Sequence, residues 1–536
     1  MACLIGISAT NVFAATYYVS PTGADSNPGT QAAPWRTVGK AAGVLAAGDT
    51  AMLQDGTYAE GSITFSRSGT KTNPITIRAQ NRHKSVLVSS SGCSPGMSIS
   101  ASYITIDGIR FGPSTNACGS YTSANVMIRC WEQGGLPSPS RPTSGNVGCT
   151  LQNLLIDPDP NRSEGIKSNQ DFTLMEGIDI SASLELFNNV GSIIRNNIVR
   201  GAPAWGLGIF VKGGVRNTEI YDNIVYVPVG HVGIVIGGYS GNQWLWDPPS
   251  GLEAYNSVAY NNVVVGLGSG NQTQGLGCWA CKDSAFYNNV VINAELFLAV
   301  GGSGVYSVSP TFKNNIVSCN GHALYGGTNG GWNFTGTLTF DYNNIFNCAG
   351  SVPSQAHAIT GNPNFVNAAS DWHLQAGSPA IGAGTLVTMR GYNGEAISVS
   401  MDRAGLVRAA PWDLGIYNAQ GSLPPPLPPP TPDTSAPSVP SGLTSSAVSA
   451  TQVNLSWTAS ADNVGVVGYQ VYRNGSQIAT TASTQYTNTG LTGGTTYTYA
   501  VAAYDAAGNT SALSTPTSVT TSAPPPPAPP APTASA

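Results

Sequence analysis

The sequence predicts an all-β chain, on three observations: a shortage of charge, a recurring asparagine phrase, and a C-terminal stretch of short alternating strands. Of 536 residues, 22 are Lys or Arg and 27 are Asp or Glu, 9% in all, against 64 Gly and 37 Pro. A typical soluble domain carries roughly 25% charged residues, and long-helix proteins are rich in Glu, Lys and Arg. A disordered charged chain would need blocks of like sign, and none is present. A net charge of −5 argues against a nucleic-acid partner, which calls for a basic face. Hydrophobic residues, at 41%, are enough for a large core.

The asparagine phrase recurs six times between residues 195 and 346. It reads Arg195-Asn196-Asn197-Ile198-Val199, then Tyr221-Asp222-Asn223-Ile224-Val225, then Tyr260-Asn261-Asn262-Val263-Val264. It returns as Tyr287-Asn288-Asn289-Val290-Val291, Lys313-Asn314-Asn315-Ile316-Val317 and Tyr342-Asn343-Asn344-Ile345-Phe346. The second Asn falls at 197, 223, 262, 289, 315 and 344, in steps of 26, 39, 27, 26 and 29. A period in the twenties with β-branched strands and Gly/Asn turns predicts a solenoid with one coil per repeat. The Leu scaffold of a leucine-rich repeat is absent. Asn tolerates left-handed geometry, and its amide can bond the backbone and the matching Asn one coil away. The architecture expected for 16–420 is therefore a parallel β-helix. The long step coincides with Ser240 to Glu253 (SGNQWLWDPPSGLE), which breaks the strand pattern and reads as a protruding loop.

The flanking segments follow. Met1 to Ala15 reads as an export signal, apolar at Leu4, Ile5 and Ile7, with Val12 and Ala14 at −3 and −1 of a cleavage site. No later run reaches the ~18 apolar residues of a membrane helix, so a secreted, monomeric chain is expected. Eight cysteines follow Cys3, an even count that suggests disulfides in an exported protein, with connectivity unreadable. Cys278-Trp279-Ala280-Cys281 lacks the context of a redox or zinc motif and reads as structural. Residues 421–437 and 522–536 are proline-rich spacers. Between them, 438–521 alternates apolar and polar at Val453-Asn454-Leu455-Ser456-Trp457. It carries an Asn474-Gly475 hairpin signal and a tyrosine-corner phrase from Leu491 to Tyr497-Thr498-Tyr499. This segment resembles a fibronectin type III domain over its whole length, a spacer or weak binding module.

The large segment resembles secreted right-handed parallel β-helix proteins of the pectate-lyase-like superfamily. The resemblance rests on Tyr17-Tyr18-Val19-Ser20-Pro21, Pro34-Trp35-Arg36-Thr37 and Asp55-Gly56-Thr57-Tyr58 at the start. Asn362-Pro363-Asn364-Phe365-Val366, Gly377-Ser378-Pro379-Ala380-Ile381 and Asp413-Leu414-Gly415 carry it at the end. It implies a polysaccharide partner held in a shallow groove on one lateral sheet, walled by loops between coils.

Candidate site residues are then the charges and aromatics of a charge-poor rod. Lys212, in an otherwise apolar and Gly-rich strand, is a candidate base for abstracting the proton α to a uronate carboxylate. Its phrase Val211-Lys212-Gly213-Gly214 resembles the Lys-bearing strand of chondroitinase-B/alginate-lyase-type β-helices. Aligning Gly177-Ile178, Gly208-Ile209 and Gly233-Ile234 brings Glu176 and Asp179 near Lys212, as the acidic pair for a calcium ion that would neutralise the uronate. His231 is a second catalytic candidate. Trp244 and Trp246 suit stacking on sugar rings, with Asp247 and Glu253 as polar partners. The function expected is a polysaccharide lyase acting by β-elimination. A hydrolase or uronate epimerase on the same scaffold, or a glycan-binding adhesive rod, are the alternatives.

Overall fold

The computed structural model describes residues 14–90, 96–113, 126–128, 148–157, 164–201, 207–238, 250–267, 273–299, 304–321, 324, 334–390, 396–418, 435–462, 466–481, 483–505 and 509–523. Residues 1–13 of the signal stretch, residues 421–434 and 524–536 of the proline-rich spacers, Cys93, Cys118, Cys130, Trp244, Trp246 and Asp247 lie outside these residues. The chain divides into two compact units, Met1–Ser422 and Leu423–Ala536.

The first unit is the predicted solenoid. Among the described residues its strands stack in parallel sheets of twelve, nine and eleven strands, with a short fourth sheet of five strands appearing from Val215–Arg216 onward. One coil shows the plan. Leu207–Lys212 lies in the nine-stranded sheet, Val215–Arg216 in the five-stranded one, Glu219–Tyr221 in the twelve-stranded one and Ile224–Val227 in the eleven-stranded one. Each strand pairs in parallel with its counterpart one coil on, as in Glu219↔Val258, Ile220↔Ala259 and Tyr221↔Tyr260. The alternate residues Ile194, Ile220, Ala259, Phe286 and Phe312 turn inward and are fully buried. Phe286 and Phe312 stack at 4.5 Å. Burying each Ile or Val contributes roughly 1.5–3 kcal/mol, and a solenoid repeats that gain at every coil.

The asparagine phrase does two jobs. Its first position takes the left-handed conformation that turns the corner, at Asn196 (φ 56), Asn261 (53), Asn288 (53) and Asn314 (58). Its second position forms a buried ladder. Asn223 accepts the backbone N–H and the side-chain amide of Asn197 at 3.1 and 3.0 Å, and the pattern continues through Asn262, Asn289, Asn315 and Asn343. Each amide nitrogen also donates to a carbonyl of the preceding coil, as Asn262 does to Ile220 at 2.8 Å. The last rung is Asn343, not the predicted Asn344, which pairs with Ile316 in the eleven-stranded sheet. Tyr342 (φ 55) holds the corner there, and Gln355 closes the ladder by accepting from the Asn343 backbone N–H at 2.8 Å.

Both ends of the rod are finished differently from the middle. The all-β expectation missed a short helix, Val38–Val44, whose Val38, Ala41 and Ala42 are buried against the first coil. Its first N–H groups are capped by the Glu60 carboxylate, at 2.7 Å from the Val38 nitrogen and 2.9 Å from that of Gly39. After Asn343 the chain folds back along the outside. Trp372, Ala380, Leu414 and Ile416 cover Val263, Val290 and Ile316 on the eleven-stranded sheet. Val387, Met389 and Val399 cover Val258 and Tyr287 on the twelve-stranded sheet. Disulfides join Cys278 to Cys281 and Cys319 to Cys348, in keeping with a structural role for the first pair.

The second unit is a sandwich of three and four antiparallel strands around Trp457, Tyr469, Val471, Leu491, Tyr499 and Val501. The predicted turn is present at Asn474 (φ 50) and Gly475 (φ 81). The predicted tyrosine corner is made by Tyr497, whose hydroxyl accepts the Thr492 N–H at 3.0 Å.

The two roles of the asparagine phrase separate by mutation. Asn289→Ala should lower stability by about 2–4 kcal/mol, because it strips partners from buried groups. Asn196→Gly, at an exposed left-handed corner, should change it by less than about 1 kcal/mol. Denaturant unfolding of the two variants would check the contrast.

Candidate functional site

With the C-terminal segment lying over parts of two sheets, the outer face of the nine-stranded sheet gathers the charges and aromatics. Its register sets Thr64, Ser98, Met127, Lys167, Glu185, Phe210, Val235, Gly277 and Phe297 in one row across nine coils. Glu185 is flanked by Lys167 in the same row and by Lys212, two residues beyond its row partner Phe210 on the next strand. Lys212 Nζ is 2.9 Å from Glu185 Oε1, and Lys167 Nζ is 3.5 Å from Glu185 Oε2. The Glu185 side chain is 1% exposed, those of Lys212 and Lys167 20% and 31%. A buried carboxylate is tolerable only when paired, and the two ammonium groups supply that pairing.

Lys212 is the last residue of its strand. Its ammonium also lies 4.6 Å from the centroid of the Phe210 ring, a cation–π contact. Glycines make room around it. A side chain at Gly238 would meet the Lys212 stem at 2.9 Å, and one at Gly213, itself at φ 75, would meet the Phe187 ring at 2.8 Å. The platform beside it, Phe210, Val235 and Phe297, is buried, with Trp279 and Val232 packed half-buried against it.

The other predicted site residues fall elsewhere. Glu176 and Asp179 do not join Lys212. Glu176 belongs to the twelve-stranded sheet and Asp179 to the eleven-stranded one, because the Gly-Ile alignment joined a corner to a strand. The true partner of Asp179 is Ile198, and that of Lys212 is Phe187. Each acid is taken by an arginine, Glu176 by Arg195 at 2.9 Å and Asp179 by Arg200. The hydrogen bond that Arg195 donates to Glu176 is the main influence holding the guanidinium above its usual range. Among the described residues no three His, Cys, Asp or Glu side chains converge for a metal. The predicted pair therefore does not fit a calcium ion, which wants six to eight oxygen ligands.

Glu253 is also corrected. It is fully buried, and its carboxylate accepts the Gly213 N–H at 2.8 Å, so it props the corner beneath Lys212 instead of facing a sugar. His231 precedes Val232–Gly237 at the opposite edge of the sheet. It stands six residues upstream of Gly237, the neighbour of Lys212, and so roughly 20 Å away. The two cannot share a proton. Glu185 and Lys167 were missed, though a charge inside Ser183-Leu184-Glu185-Leu186-Phe187 is the same signal that singled out Lys212.

Comparison with known proteins agrees with this architecture. Residues 17–133 match the family described as Pel9A-like, right handed beta helix region, and residues 437–520 match the fibronectin type III domain. The first match covers the opening coils of the solenoid, and the second covers the C-terminal sandwich. Among curated relatives, chitinase Chi52 of Paenibacillus xylanexedens is 48% identical over 159 residues, 29% of this chain and 29% of its own. Chitinase D of Niallia circulans is 61% identical over 92 residues, 17% of this chain and 18% of its own. The chain thus spans under a third of either relative. A solved complex of XylC with xylose aligns over 75% of this chain and 98% of its own, at 11% identity and a TM-score of 0.49.

The ion triad of the β-helix can be weighed directly. Lys212→Ala should destabilise the fold by about 1–3 kcal/mol, since Glu185 loses its nearer partner. Adding Glu185→Gln to that variant should restore most of the loss. Equilibrium unfolding of wild type, both single variants and the double would give the coupling.

Proposed function

We propose that this protein is a carbohydrate-active enzyme, a polysaccharide lyase that cleaves a uronate-containing glycan on the outer face of the nine-stranded sheet. The observation that carries the reading is the triad Lys167, Glu185, Lys212: two lysines on one buried carboxylate, in a chain with 9% charged residues. The Pel9A-like match supports a polysaccharide-active scaffold, and the relatives named chitinases support a glycan as partner.

β-Elimination takes the proton α to the uronate carboxylate, neutralises the charge that develops there and releases the β oxygen. In this reading the Lys167 ammonium faces the substrate carboxylate. Substrate lying over Lys212 and Glu185 excludes water, and the neutral amine with a carboxylic acid then competes with the ion pair. The Lys212 amine accepts the α proton, the bond from the β carbon to the glycosidic oxygen breaks, and the resulting ammonium returns the proton to that oxygen. One product ends in an unsaturated uronate, and the lysine is regenerated. The insertion bearing Trp244, Trp246 and Asp247 leaves the sheet at Gly238, beside Lys212, and we assign these residues to the wall that holds the sugar.

A retaining or inverting hydrolase needs two carboxyl groups roughly 5–10 Å apart. On this face the described carboxyls Glu185 and Glu295 stand four strands apart, about 19 Å. The lyase reading is therefore preferred.

The test is a panel of pectin, alginate and chondroitin polymers, with calcium or with EDTA, followed by ultraviolet absorbance of the unsaturated product. Lys212→Ala should lower the rate by about 10²–10⁴-fold, and Lys167→Ala should raise KM. A Lys212→Ala variant with full activity would sink the assignment of the base. Reducing ends without absorbance would mean hydrolysis, and binding without either product would mean an adhesive rod.

A further inference from the structure

The edge of the nine-stranded sheet opposite Lys212 carries a second set of polar groups that the lyase reading does not use. Glu295, the first residue of Glu295–Ala299, pairs directly with Gln274, and Gln274 with Val232. The three lie on the outer face in one row spanning three coils, roughly 10 Å, with His231 at its end. Glu295 is 5% exposed, and among the described residues its carboxyl has no hydrogen-bond or ion-pair partner. The side-chain oxygen of Gln274 is likewise buried without a partner. Native proteins rarely bury polar groups unpaired, and each costs about 1–3 kcal/mol. Two on adjacent strands, beside the half-buried Val232 and His231, have the form of a site prepared for a ligand that supplies the missing hydrogen bonds.

We propose that Glu295, Gln274 and Val232 form a saccharide subsite, in which hydroxyls of an uncharged sugar bond the carboxyl and the amide while an apolar ring face rests on Val232. The chemistry of the row favours a neutral ligand. Burial pushes the Glu295 carboxyl up to about 7, and no charged group contributes to that shift. The only titratable side chain flanking the row among the described residues is His231. Up to neutral pH the row therefore offers a carboxylic acid and an amide, each both donor and acceptor, which complements hydroxyls and gives a cation little to hold. Glu295 lies three strands across and four residues along from Lys212, and Val232 one strand across and five along, so the row is roughly 17–20 Å away. A ligand here is consequently held apart from the reacting sugar, and the inference stands whether or not Lys212 is a base.

The experiment is calorimetric titration of the full chain at pH 6 with xylotetraose, cellotetraose and chitotetraose, and with terbium as a probe for a cation. At least one oligosaccharide should bind. Glu295→Gln, which keeps a donor and an acceptor, should hold affinity within about threefold. Glu295→Leu and Gln274→Leu should each lower it tenfold or more, and Lys212→Ala should leave it unchanged. Equal losses in Glu295→Gln and Glu295→Leu, unaltered binding in both Leu variants, or no binding to any of the three sugars would overturn the subsite. Terbium luminescence abolished by Glu295→Gln would overturn it in favour of a cation. Loss of turnover in Lys212→Ala with sugar binding intact separates this subsite from the lyase chemistry.

Discussion

The buried asparagine ladder is the constraint on which the rest of the first unit depends. A coil of this solenoid is held to its neighbours by backbone bonds along its sheets, but the corner between two sheets has no such ladder of its own. Asn197 to Asn343 fill that gap with side chains, each amide oxygen from Asn223 onward receiving two N–H groups from the coil before. Because every rung must meet the next, coil lengths may differ only where the chain leaves the stack and returns to it. The long step between Asn223 and Asn262 obeys this, with the extra residues leaving after Gly238. The registers of the adjoining sheets, and so the rows on their outer faces, are set by the same requirement.

That dependence explains which expectations held. The repeat, its period, the sandwich module and the place of the insertion were legible because each has a local signature: a spaced Asn, an Asn-Gly turn, a tyrosine corner. The last rung was misread because Asn343 and Asn344 are adjacent, and only the pairing of Asn344 with Ile316 shows which of them points inward. The proposed neighbours of Lys212 were misread for a different reason. Gly-Ile occurs at a corner in Gly177-Ile178 and inside strands at Gly208-Ile209 and Gly233-Ile234, and a dipeptide does not say which. Aligning by the asparagine rungs instead would have set Glu185 beside the Lys212 strand. The terminal helix gave no sign of itself, since its seven residues pack by small side chains on the end of the stack.

Charge scarcity acquires a different meaning once the rows are seen. On the nine-stranded sheet the described charged side chains fall into two groups. One group surrounds Glu185 and the other surrounds Glu295 at the upstream strand ends, with the buried Phe210, Val235 and Phe297 continuing the row of Glu185 across the sheet. Apolar surroundings are what make both groups chemically distinctive, binding the first as an ion triad and keeping the second near neutrality. Elsewhere on the rod, acids such as Glu176 and Asp179 are neutralised by arginine one coil away.

The returning C-terminal segment has a consequence for how such a rod can vary. Its Arg408 bonds Asn261 and its Thr385 bonds Asn314, both at left-handed corners. It therefore spans a fixed number of coils, from the Asn262 rung to the Asn315 rung. Duplicating or deleting a coil inside that span would leave the strap too short or too long. Growth by repeat gain is confined to the coils before it, so the strap acts as a ruler for the far half of the molecule.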